Sequence, residues 1–209
     1  MEDTTFDPEA TAAAYRFAVH WWRSLVGATE GEQWDQPGLG EWTVRELVAH
    51  GNRALSTVTD YLQGDTKDPT EIHTAADYFR IVLAEETPHL HIAARARQEA
   101  AATDDLLMAT DELAEAALGE VAARPGDTVV HLFVGEMHLG QYLATRIVEL
   151  VAHGLDLSRA IGLPTTPPAV ATRVALAVLT DLASADDLAA LVQLLTGRDA
   201  VLPLTHVLD

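Results

Sequence analysis

The stretch 143–162, LATRIVELVAHGLDLSRAIG, is apolar around almost its whole helical circumference, yet it carries Arg146, Glu149, His153 and Asp156. Steps of three and four residues return side chains to one side of a helix, so positions 142, 146, 149, 153, 156 and 160 form a continuous strip. Leu139, Leu143, Ile147, Leu150 and Leu157 make an apolar seam beside it, and Val148, Val151 and Leu155 cover other directions. Such a helix has little polar surface to give to water, which predicts that the strip faces the interior of a helical assembly or a cleft in it. Charged groups in that position require an opposite charge or a metal to offset their desolvation.

The remaining sequence reads as helical throughout. Asp7 and Pro8 open a first helix that ends at Gly27 and carries a stripe of Ala14, Phe17, Ala18, Trp21 and Leu25. The segment EGEQWDQPGLGE breaks the pattern. A second helix starts at a capping box, Thr43 with Glu46, flanked by the apolar pair Trp42 and Leu47, and should run to about residue 61. A short helix is expected over 75–85, then a long alanine-rich one from Pro88 to about residue 121, kinked near Thr103. TVVHLF is a short extended piece, and the last long helix is expected over 136–161, stopped by Gly162 and Pro164. Four long helices predict an all-α four-helix bundle over residues 1–163, followed by a short, mostly helical extension over 164–209. No clear internal repeat or low-complexity run stands out.

The formal charge of −19, from 32 acidic and 13 basic residues, argues against nucleic acid and anionic membranes as partners. No signal peptide or membrane-spanning run is visible, so a cytoplasmic protein, monomeric or homodimeric, is expected. The chain has no cysteine, which excludes thiolate metal ligands and a cysteine nucleophile.

Two readings of the strip remain open. In one, Arg146 pairs with Glu149 and His153 bonds to Asp156 as a structural ladder. In the other, Glu149 and His153 offer a carboxylate oxygen and an imidazole nitrogen to one divalent ion at about 2.0 to 2.2 Å. His50, at the edge of the second helix's apolar stripe beside Leu47 and Ala54, is the natural third ligand, or else a hydrogen-bonded core residue. His89 and His91 diverge near a helix start, His20 is expected in solvent, and His131 and His138 flank the last helix. Trp21, Trp22, Trp34 and Trp42 read as core and staple residues.

GEWTVRELVAHGNRAL followed by RIVELVAHGLDLSRAIG resembles the paired signatures of the mycothiol-dependent maleylpyruvate isomerase family, in the DinB-like helical-bundle superfamily. The resemblance spans residues 10–162 and implies a DinB-like four-helix bundle holding a divalent metal, usually zinc, with nickel, iron or manganese also suited to the donors. It implies His50, Glu149 and His153 as ligands. Asp156 would then orient the His153 ring, and Arg146 would hold a substrate carboxylate. The activity implied is thiol transfer or thiol-assisted isomerisation of a small electrophilic substrate, with mycothiol as the low-molecular-weight thiol. A metal-activated-water hydrolase and a non-catalytic metal or small-ligand binding protein are the alternatives.

Overall fold

A computed structural model describes residues 4–64, 70–84 and 88–198. Helix α1 (Pro8–Gly27) starts where Asp7 accepts the Ala10 N–H at 2.8 Å, with Pro8 in the first turn where its missing N–H costs nothing. Its buried arc extends from Ala14, Ala18, Trp21 and Leu25 round to Tyr15, Val19, Trp22 and Val26. Phe17 lies off the opposite edge of that arc and is 49 % exposed, so it is not part of the core stripe.

A two-stranded hairpin, β1 (Pro37–Leu39) and β2 (Trp42–Thr43), leads into α2 (Val44–Gly51). The capping box is present in full: Thr43 N–H donates to Glu46 Oε2 at 2.8 Å, and Glu46 N–H to Thr43 Oγ1 at 3.3 Å. The single helix expected to residue 61 is divided at Asn52 into α2 and α3 (Arg53–Gln63). The joint is a local tightening, since Asn52 N–H still reaches the Val48 carbonyl at 2.9 Å. Its side chain ties the joint to two other helices. Trp22 Nε1 donates to Asn52 Oδ1 at 3.0 Å, and Asn52 Nδ2 donates to Thr110 Oγ1 at 2.9 Å.

Helix α4 (Ala75–Leu83) matches the expected short helix. The long helix expected from Pro88 is two, α5 (Pro88–Ala102) and α6 (Leu106–Ala122), because Asp105 caps a new start by accepting Met108 N–H at 2.9 Å. The extended piece near residue 130 is one arm of a hairpin, β3 (Val129–Leu132) with β4 (Gly135–His138). The last bundle helix, α7 (Leu139–Ala160), therefore begins three residues later than the sequence pattern implies. Glu136 is committed to the hairpin and to residues 70–72: its N–H donates to the Thr70 carbonyl at 2.8 Å, and its carbonyl accepts from Ile72 N–H at 2.7 Å.

Helix α7 is the axis of the fold. It packs against α1, α2, α3, α4 and α8 (Ala169–Leu182), and every residue from Leu139 to Val148 is buried. The bundle is formed by α1, the α2–α3 rod, the α5–α6 pair and α7. Ala171, Ala175 and Val178 of α8 join the same apolar core, and α9 (Ala185–Leu195) follows behind a further capping box at Ser184 and Asp187. Among the described residues no helix is long and apolar enough to cross a membrane.

Candidate metal centre

Helix α7 contributes Glu149 and His153, one turn apart, and α2 contributes His50 from across the bundle. One ligand atom of each lies within 4.8 Å of the others. The His50 and His153 rings meet edge to face, with centroids 4.8 Å apart and planes at 81°. His153 Nε2 stands 3.2 Å from Glu149 Oε2, and its Nδ1 stands 3.6 Å from Asp156 Oδ2. The Glu149 side chain is 25 % exposed and that of His153 15 %, so solvent reaches the cluster.

Of the two sequence readings, the structural ladder is only half present. Arg146 forms no ion pair with Glu149, and among the described residues it has no carboxylate partner. Its Nε donates to Thr145 Oγ1 at 3.0 Å and its other end to the Tyr78 hydroxyl at 3.4 Å. The guanidinium lies 5.0 Å from the Tyr142 ring centroid and 5.5 Å from that of Tyr78, within cation–π range. His153 does bridge Glu149 and Asp156. Its Nδ1 nevertheless lacks a hydrogen bond, as does the buried Nδ1 of His50. Buried polar atoms of this kind are normally satisfied, so the His50 nitrogen calls for a missing partner, while the His153 nitrogen has Asp156 beside it.

The electrostatics sort the three groups. Burial, then the charge on His153, holds His50 down to about 4, which keeps its lone pair free at neutral pH. Burial would raise the Glu149 carboxyl, but its hydrogen bond to His153, that imidazolium's charge and Arg146 hold it down to about 2. Burial would depress His153, yet the Asp156 and Glu149 carboxylates on either side of the ring lift it to about 9. Without a metal, a proton on His153 is thus the cation between the two carboxylates. Two imidazoles and an ionised carboxylate are a donor set that fits zinc or a similar divalent ion.

His20 is exposed as expected. His131 Nδ1 lies 3.2 Å from Glu136 Oε1, and His138 Nδ1 donates to the Asp127 carbonyl at 2.9 Å, so both serve the β3–β4 hairpin. The side chains of His89 and His91 lie outside the described residues. Trp42 has a role that its staple assignment leaves out: its ring stands 4.8 Å from that of His50, forming one wall of the site. Both histidines also lie in one short repeat, the hexapeptide ELVAHG, which occurs at 46–51 and at 149–154. The shared histidines converge, whereas the shared glutamates part company. Glu46 is spent on the α2 cap, and Glu149 faces the imidazoles.

These features define a helical bundle with a His–Glu–His cluster between two of its helices. The family model for the mycothiol maleylpyruvate isomerase N-terminal domain matches residues 15–158, and the chain belongs to that family. No curated protein and no solved structure matches the chain.

Proposed function

We propose that the protein is a divalent-metal-dependent enzyme of mycothiol-type thiol transfer to, or thiol-assisted isomerisation of, a small electrophilic substrate. The observation that carries this reading is the meeting of His50, Glu149 and His153 at one solvent-reached point, with the buried Nδ1 of His50 left without a partner. His50, Glu149 and His153 are the ligands in this proposal, with zinc as the leading ion and nickel, iron or manganese compatible with the same donors. When bound, such an ion keeps a coordination position for an outside ligand and lowers the pKa of a thiol or water placed there.

The surrounding residues have separate tasks. Asp156 takes the Nδ1 side of His153 and fixes which nitrogen faces the ligand cluster. Arg146, held by Thr145 and Tyr78 and lacking a carboxylate partner among the described residues, keeps Glu149 ionised and is the candidate anchor for a substrate carboxylate. The chain has no cysteine, so a thiolate must come from a small molecule, in agreement with the family's mycothiol connection.

The test combines metal analysis with thiol titration. Cobalt-loaded protein should develop a thiolate-to-metal charge-transfer band on addition of mycothiol, and turnover of an electrophile panel should require that thiol. Metal binding without band or turnover would make this a binding protein. Turnover independent of thiol would make it a hydrolase.

A further inference from the structure

We propose that the consecutive tryptophans Trp21 and Trp22 of α1 are positioning residues for the two histidines, an inference that rests on the metal reading above. The repeated hexapeptide ends in glycine at both sites, and each glycine is the socket for one of these indoles. A Cβ on Gly154 would stand 2.6 Å from Trp21 Cη2, and one on Gly51 would fall inside the contact distance of Trp22 Cη2 and Cζ2. In both cases the six-membered part of the indole touches the helix at the residue directly after the histidine.

The arrangement fixes an angle. Neighbouring residues on a helix project about 100° apart, so Trp21 and Trp22 leave α1 in two directions, one against α7 and the other against α2. Each indole is also pegged at its nitrogen to a residue beyond the socket. Trp22 Nε1 donates to Asn52 Oδ1 at 3.0 Å, and Trp21 Nε1 to Thr165 Oγ1 at 3.4 Å. Trp22 is fully buried and Trp21 is 8 % exposed, so neither ring has room to swing aside. A glycine inside a 22-residue helix costs about 1 kcal/mol relative to alanine, and here close approach to Trp21 requires it. The two helices that carry His50 and His153 are therefore indexed against one rigid dipeptide. The separation and tilt of the imidazoles follow from it.

The experiment uses the full chain loaded with cobalt or zinc. Trp21→Phe and Trp22→Phe keep a ring in the core but withdraw the part that meets the glycine. Each should shift the cobalt ligand-field bands and weaken zinc at least tenfold in chelator competition, with helical circular dichroism retained. Gly154→Ala should do the same, and the double variant Trp21→Phe/Gly154→Ala should bind zinc more tightly than Gly154→Ala alone, because the smaller ring makes room for the methyl. Leu25→Ala, a buried truncation one turn further along the same helix, should lower Tm while leaving the cobalt spectrum unchanged. Unaltered spectra and affinities in the tryptophan variants, or shifts that Leu25→Ala reproduces, would overturn the proposal while leaving the metal reading intact. A wild type that takes up neither ion would overturn both.

Discussion

In the metal-free protein the proton on His153 should be a measurable part of the folding free energy. The imidazole titrates at about 9 in the folded chain against an ordinary 6.5. That gap of about 2.5 pH units, at about 1.4 kcal/mol per unit, is worth about 3 kcal/mol. Because the folded value is the higher one, the contribution is complete below pH 6.5 and disappears as the pH rises through 9. The neighbouring groups leave this window undisturbed. Glu149, held at about 2, contributes above its ordinary 4.5 and loses that contribution only as the pH falls towards 2. His50, depressed to about 4, weakens the fold only below its ordinary 6.5. Urea unfolding in the presence of a chelator, at intervals from pH 7 to 10, should therefore show wild-type stability falling by about 2 to 3 kcal/mol relative to His153→Gln. Parallel pH profiles for the two proteins would refute the reasoning. So would an imidazole resonance of His153 that titrates near 6.5.

Replacing His153 with alanine should abolish stoichiometric metal binding by elemental analysis while leaving helical circular dichroism largely intact, and Glu149→Gln should weaken zinc at least tenfold in chelator competition. Asp156→Asn, which leaves all three proposed ligands in place, should cost about 10- to 100-fold in zinc affinity by the same assay. Asn52→Leu removes the buried amide that bridges Trp22 and Thr110 and leaves the Trp22 N–H without an acceptor, so chemical denaturation should register a loss of about 2 to 4 kcal/mol.

The strip on α7 was legible because helical spacing is a local property: Glu149, His153 and Asp156 had to share a face wherever that helix packed. The apolar seam of Leu139, Leu143, Ile147, Leu150 and Leu157 is buried for the same reason. What resisted reading depended on distant partners. Asn52 divides a helix whose periodicity runs straight through it, because its amide is claimed by Trp22 and Thr110, thirty and fifty-eight residues away. Glu136 looks helical in sequence but is held extended by residues 70–72. Arg146 has Glu149 three residues on and still turns to Tyr78 and Tyr142, a choice that only the packing of α4 on α7 makes available. Phe17 fits the apolar pattern of α1 yet faces outward, since the neighbouring helices close over the Trp22 side instead.

The central claim is that His50, from a helix about a hundred residues earlier in the chain, shares one cation with Glu149 and His153. Zinc K-edge X-ray absorption on the loaded wild type and on His50→Ala tests it directly. The wild type should hold one zinc per chain with two imidazole rings and light-atom scatterers at about 2.0 to 2.1 Å, and the variant should show one ring fewer or no zinc at all. Identical spectra at equal zinc content would contradict it.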